Sequence, residues 1–457
     1  VRVVTSLSVL VLGIGGIGHA VVTSLDSGIE RVDPFRDMKN RPDGGHGMNI
    51  LLVGTDGRDR ITAEEKKKYR LGGVGCRCTD TIMLVHISQD RERASVVSLP
   101  RDSYAEIPDH VDATTGKQHK RHPVKLNAAF TEGGPSLTVR TVEHMTGVKI
   151  DHYLEVDFTS FMRTVDTVGG VEICTARPMK DSYTGLDLAV GTHKLNGGQA
   201  LQYVRSRHID GAADLGRMQR QQRFMAALIH QATSNGVLLN PVKFRSVVST
   251  MLDSVRADKN FGPEQMLALG RAMKGFSPAS SEFTSVPVGD VSHPVKGIGS
   301  TVKWDTAKAK KLFQLVRDDK PLAPRRPKQP RAALVDVPPD RIRVQVYNGT
   351  ATPGLGDRVD KALDATGFAT TRSPLNAPGT AGAPLAKTYV TYDPRWDRSA
   401  KSLQTALGGC ELRPAKGQGP TMKVMAGADY KGVTPVRAED RKPGAFGAVT
   451  GDQVVCP

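Results

Sequence analysis

Cysteine is scarce in this chain of 457 residues: there are five, and no two stand as C-x-x-C. Cys76-x-Cys78 with distant histidines is poor zinc spacing, which argues against a zinc-finger type of site. Long apolar runs are scarcer still. Residues 3–25 form one, and no second run of that length follows, which excludes a multi-span membrane protein. No internal repeat is visible, and no compact helix-turn-helix pattern occurs. Gly13-Ile-Gly-Gly-Ile-Gly18 fits a dinucleotide-binding fingerprint, but no apolar strand ending in an acidic residue follows about 20 positions on, so that reading is set aside.

What is present fits globular domains. Hydrophobic residues make up 39% and charged residues 24%, too apolar for general disorder. The length suggests about three units. Residues 3–25 carry His19 as their only ionisable side chain and would span roughly 34 Å as a helix, enough for one membrane crossing. No A-x-A type cleavage site follows, so the run reads as a retained anchor. Outside the cytoplasm, Cys410 can pair with Cys456, and Cys174 with Cys76 or Cys78, leaving one thiol over. Small buried thiols are the alternative for the first three.

The formal net charge of +16 implies an anionic partner, but it is uneven. Residues 1–47 sum to 0, 48–232 to +3, 233–340 to +7 and 341–457 to +6. The excess of the second half would hold the protein against anionic lipid or another polyanionic surface rather than read nucleic acid.

After a polar spacer at 26–47, short and nearly continuous apolar runs at 48–54, 81–87 and 94–99 predict strands buried on both faces. Helical periodicity follows at 126–145, broken near Gly133-Gly134-Pro135, then a strand at 153–156, a helix at 158–165 and a strand at 171–174. Residues 217–231 predict an amphipathic helix with Phe224, Leu228 and Ile229 on one face. Helical signals at 263–273 and 306–316 complete a domain of 48–320. The alternation predicts a three-layer α-β-α domain around a mostly buried mixed sheet. A stiff Pro/Arg-rich linker at 321–340 leads to a small α/β unit at 341–457, with a strand at 342–347, a helix at 354–366 and a strand at 388–392.

Within the near-neutral domain, acids and arginines gather at strand ends and loops: Asp56, Arg58, Asp80, Arg101, Asp102, Lys125, Asn127, Arg205, Arg207, Arg217, Arg220 and Gln221. Strand ends of an open α/β sheet are where ligands bind, and many arginines with few carboxylates suit a multiply charged phosphate. Two carboxylates can hold Mg²⁺, which takes its other ligands from phosphate and water. Phosphoryl transfer needs such a clamp. Asp102 reads as an orienting partner or a candidate base. Arg220 and Arg223 read equally as plain surface charge, Lys66 to Lys68 as a solvated face, and His86 and His208 as structural.

The blocks LLVGTDGR, CTDTIMLVHIS, VVSLPRDSY, KLNAAF, DHYLEVDF, VDTVGGVEIC, DSYTGLDL, GTHKLNGGQALQYVRSRH and DLGRMQRQQ resemble, in order, the LytR-CpsA-Psr family from residue 48 to about 231. Residues 341 to about 433 resemble the C-terminal domain often appended in actinobacterial members. Thr79-Asp80-Thr81 stands where the family commonly has Ser-Asp-Thr, which keeps the hydroxyl. The resemblance implies a membrane-anchored, extracytoplasmic phosphotransferase. It would move a glycopolymer of the teichoic acid or arabinogalactan kind from a polyprenyl-pyrophosphate carrier to a peptidoglycan hydroxyl.

Carried over, Asp56 and Asp80 would hold Mg²⁺. Arg58, Arg101, Lys125, Asn127, Arg205, Arg207, Arg217 and Gln221 would bind or support the pyrophosphate, with Arg101, Asp102, Arg205 and Arg207 acting in catalysis. The lipid would lie in an apolar pocket beneath the sheet. Two rival readings are a membrane-anchored transcriptional regulator, which the basic helix at 217–223 would serve, and a non-catalytic wall-glycopolymer binding protein.

Overall fold

The computed structural model describes residues 30–36, 38–58, 61–72, 78–175, 177–209, 213–234, 255–262, 265, 277–323, 332–378, 384–438 and 446–454. The apolar run at 3–25 and most of the helix expected at 263–273 lie outside them. Among the described residues no helix is long and apolar enough to cross a membrane.

The three expected apolar runs become β2 (Met48–Thr55), β3 (Thr79–Ile87) and β4 (Ala94–Leu99), preceded by β1 (Glu30–Val32) and followed by β5 (His152–Val156), β6 (Val255–Asp258) and β7 (Ser281–Ser285). They form one sheet in the order β1-β6-β5-β2-β3-β4-β7, with strand Val449–Thr450 on the far edge. It is mixed: β2–β5 and β4–β7 run parallel, β2–β3 and β3–β4 antiparallel.

Alternation along each strand explains the continuous apolar pattern. Leu51, Val53, Ile82, Leu84, Val97 and Leu99 enter one core, which also takes residues of α2 (Ala128–Thr146) and α6 (Thr306–Arg317). Met83 and Val96 point to the other face, where they meet Ala226 of α5 (Ala213–Ser234). Both faces are therefore covered by helices. The Gly-Gly-Pro break is a kink inside α2, where Gly134 takes φ 61°, a conformation that favours glycine.

A second core gathers α3 (Phe158–Thr167), α4 (Gly197–Arg205) and two hairpins, Val171–Thr175 with Gly191–Leu195 and Met179–Asp181 with Leu186–Leu188. This corrects the single apolar face expected for α5. Phe224 and Leu228 enter this core, whereas Ile229 packs with the sheet, because the helix is wedged between the two.

The described residues of 233–320 carry the helix expected at 306–316 as α6, and strands besides. They contribute β6, β7 and the hairpin Val288–Val295 with Gly299–Trp304, whose exposed alternation carries little apolar periodicity. The linker also starts later than its prolines suggest. Leu322 and Ala323 are buried in the first core, and their amides donate to the buried Glu282 at 3.0 and 3.3 Å.

The second unit is a sheet ordered Ala369–Thr370, Arg343–Asn348, Thr421–Ala426, Tyr389–Tyr392, Glu411–Pro414, with helices Leu355–Ala365 and Asp397–Ala406. Val344, Val346, Leu363, Leu403 and Val424 form its core. Residues past 438 do not all stay with it, since Phe283 and Glu282 of β7 pair with Val449 and Thr450. Cys410 is a free thiol, which corrects the expected pairing with Cys456. It packs against the second unit's core, and burial pushes its pKa up to about 11. Cys78 and Cys174 are each disulfide-bonded.

Candidate active site

The antiparallel neighbours β2, β3 and β4 bring the C-terminal ends of β2 and β4 and the start of β3 to one edge of the sheet. There the register shifts: Gly54 pairs with Thr81 but Thr55 pairs with Thr79, so Asp80 is the extra residue of a bulge. A bulge re-aims a side chain out of the ladder. The ladder is tight here, since a Cβ on Gly54 would stand 3.0 Å from Thr81 Cβ.

Asp80 accepts a hydrogen bond from Arg101 Nη1 and lies 4.0 Å from Arg207 Nη2. Asp102 lies between Arg101 Nε at 3.4 Å and Lys125 Nζ at 3.1 Å. Arg207 and Arg217 share Asp214, at 3.7 and 2.7 Å from its Oδ1. Gln221, one turn on from Arg217 along α5, donates to Thr81 Oγ1 at 2.9 Å. On the β2 side Asp56 takes both ends of the Arg58 guanidinium. Arg58 and Arg205 both stand over the Phe158 ring, at 5.8 and 5.1 Å from its centroid.

The expected residues are thus drawn into one cluster, with two adjustments. Asn127 contributes its backbone, whose N–H donates to the Arg101 carbonyl at 3.0 Å. Arg220 is no surface charge: it is buried and donates to the Ser206 carbonyl. His86 lies between Asn49 and Asp319, and His208 stacks on Tyr183. The sequence reading missed Asp214, Phe158 and Asp181. Asp181 accepts from the backbone amides of Arg207 at 2.9 Å and His208 at 3.2 Å. Asp214 and Phe158 had a signal in the blocks DLGRMQRQQ and DHYLEVDF, and Asp181 opens DSYTGLDL, though it lies 26 residues from the arginine it positions.

Electrostatically the cluster is short of negative charge. Burial, then the neighbouring Arg58, holds the Arg205 guanidinium below its ordinary pKa. Burial, with Arg207 and Arg101 close by, pushes Arg217 down to about 10. Arg101 goes the other way: burial opposes its charge, but Asp80 and Asp102 outweigh it. Arg205 Nη1 and Arg217 Nε are buried with no hydrogen-bond partner among the described residues. Cations that are desolvated, crowded and short of acceptors form a cradle for a polyanion.

Such a cluster lies at strand ends of an α/β sheet, where ligands of these folds bind. The model of the LytR_cpsA_psr family matches residues 21–317, and one described as LytR cell envelope-related transcriptional attenuator matches residues 341–430. The chain belongs to the LytR-CpsA-Psr family. It is 37% identical over 311 residues, 67% of this chain and 70% of the relative, to the probable cell wall biosynthesis protein LcpB of Corynebacterium glutamicum. It is 27% identical to the cell wall biosynthesis protein LcpA of the same organism, covering 94% of this chain and 87% of that one. The polyisoprenyl-teichoic acid–peptidoglycan teichoic acid transferase TagU of Enterococcus faecalis is 28% identical, over 57% of this chain and 79% of its own length.

Proposed function

We propose that this protein transfers a glycopolymer from a polyprenyl-pyrophosphate carrier to a hydroxyl of peptidoglycan, forming a phosphodiester. The observation that carries this reading is the pair of crowded guanidiniums of half-buried Arg205 and buried Arg217, each with an N–H that has no partner among the described residues. The Enterococcus faecalis relative, a polyisoprenyl-teichoic acid–peptidoglycan teichoic acid transferase, supports the same donor and acceptor classes.

In this reading the acceptor hydroxyl oxygen attacks the phosphorus nearer the glycopolymer. The bridging P–O bond breaks, the lipid monophosphate leaves, and the hydroxyl proton passes to solvent or a base. Arg205, Arg207 and Arg217 hold the pyrophosphate oxygens and the leaving group. Arg101 and Lys125 are oriented by Asp102, which we assign a positioning role. Asp56 and Asp80, hard oxygen donors at adjacent strand ends among surplus cations, fit Mg²⁺ shared with the phosphates. That ion would neutralise the pyrophosphate charge when bound. The polyprenyl chain would run from the phosphates along the apolar core behind Phe158. An extracytoplasmic site, with residues 3–25 as the anchor, is supported by the disulfide-bonded Cys78 and Cys174.

The test is transfer of a lipid-linked glycopolymer to peptidoglycan by the purified full chain. We expect a phosphodiester product, loss of transfer on chelation with EDTA, and recovery with added Mg²⁺. Binding of glycopolymer without turnover would overturn the reading in favour of a wall-binding protein. Full turnover by Asp80→Asn would overturn the metal assignment.

A further inference from the structure

Away from the arginine cluster, four side chains of ligand type converge beside the start of α2. His110 belongs to the short hairpin of His110–Val111 with Gln118–His119, His122 opens the strand His122–Lys125, and Glu132 lies on the second turn of α2. Ligand atoms of His110, His119 and Glu132 all lie within 4.8 Å of one another. Around Glu132 Oε2 stand His122 Nε2 at 3.1 Å, His110 Nε2 at 3.3 Å and His119 Nδ1 at 3.9 Å. The three rings surround that oxygen, with centroids 5.4, 5.6 and 5.8 Å apart.

Hydrogen bonding outside the cluster settles what the inner nitrogens offer. His110 Nδ1 lies 2.9 Å from the Pro108 carbonyl and His122 Nδ1 2.7 Å from the Lys120 carbonyl. A carbonyl only accepts, so each Nδ1 carries a proton, and in the neutral rings both Nε2 lone pairs face inward. Two lone pairs are then aimed at a carboxylate oxygen, an arrangement relieved either by a bound cation or by a second proton, as a hydrogen bond of His122 Nε2 to Glu132 Oε2 at 3.1 Å would need. His110 Nε2 is buried without a hydrogen-bond partner among the described residues, on a side chain only 4% exposed. Ligating histidines typically donate their outer N–H to a backbone carbonyl in this way.

We propose that His110, His119, His122 and Glu132 form a binding site for a divalent transition-metal cation of the zinc type. A set of imidazoles and one carboxylate suits zinc rather than magnesium. Tetrahedral zinc with bonds of about 2.0–2.1 Å holds its ligand atoms about 3.3–3.4 Å apart, and His110 Nε2 and His122 Nε2 stand 3.3 and 3.1 Å from Glu132 Oε2. The cation ties the hairpin of His110 and His119, and the one that Tyr104–Ile107 forms with His122–Lys125, to α2. It braces the strand that ends in Lys125, whose ammonium contacts Asp102. His119, 36% exposed, provides the approach from solvent.

Zinc titrated into the untagged, metal-stripped full chain, followed by elemental analysis after gel filtration, tests this. We expect about one zinc retained per chain, with an X-ray absorption spectrum showing imidazole scattering. Affinity should fall by about 100-fold or more in His119→Ala and in Glu132→Gln. Retention should be unchanged in Asp80→Asn, which separates this site from the proposed magnesium site. The exposed His119 guards against a folding artefact, and circular dichroism of each variant checks it. A folded chain that retains no zinc, or equal retention by the double variant His119→Ala/His122→Ala, would overturn the proposal.

Discussion

Asp80 and Arg101 face each other two residues beyond Ile82 and Leu99, the last paired positions of the β3–β4 ladder, and Arg101 Nη1 donates to Asp80 Oδ1. The ion pair therefore extends the sheet's own register into the site. The main chain of Arg101 is fixed as well, since its carbonyl accepts from Asn127. Arg101 Nε, Arg205 Nη1 and Arg217 Nε are each buried without a hydrogen-bond partner among the described residues, and the first prediction rests on Arg205.

Replacing Arg205 by Ala should lower the turnover of lipid-linked donor by about two to three powers of ten, the scale for removing one oxyanion donor. Arg205→Lys should recover only part, because an ammonium lacks the planar fork. The melting temperature should hold or rise, since a desolvated cation beside Arg58 is relieved. Undiminished turnover in Arg205→Ala would remove this residue from the site.

Asp181 gives a pH signature. Burial pushes its carboxyl up, but amides of Arg207, His208, Tyr183 and Thr184 outweigh that and hold it below the ordinary range. Its contribution is therefore complete above about pH 4, the unfolded value, and is lost as pH falls through the lower folded one. In Asp181→Asn, thermal melts across this range should show a flatter acid limb. The stability cost at pH 7 should be about 1–3 kcal/mol. An acid limb parallel to that of the parent protein would refute the assignment.

Glu282 ties three segments together. It accepts from Ser95 Oγ at 2.7 Å and from the amides of Leu322 and Ala323, with Arg93 Nη1 at 3.9 Å. Glu282→Ala strands these buried donors and should cost roughly 3–5 kcal/mol in urea unfolding. A loss under about 1 kcal/mol would mean the network is dispensable.

Strands β2 to β4 were legible because both faces are apolar and turn residues bound them. The arginine cluster was legible because its members sit at the ends of those strands and of α4. The hairpin at 288–304 was not, for its side chains alternate among exposed and half-buried positions without an apolar face. Arg220 misled for a related reason: helical spacing places it on α5 but cannot tell that a second core lies on that side. The histidine cluster escaped notice because its ligands come from two hairpins and a helix, and only register puts His110 opposite His119.

The pairing of Val449 and Thr450 with β7 changes what separates the two units. The polypeptide leaves the first unit after Ala323 and comes back to it by residue 446, where the Phe446 carbonyl accepts from Thr284 Oγ1 at 2.7 Å. Topologically the second unit is an insertion rather than an appendage. A chain ended at residue 340 would strip an edge strand from the first sheet and leave the backbone of Ser281–Ser285 open to pairing with another molecule. Aggregation or lost activity after such a cut would report a damaged first unit, not a duty of the second.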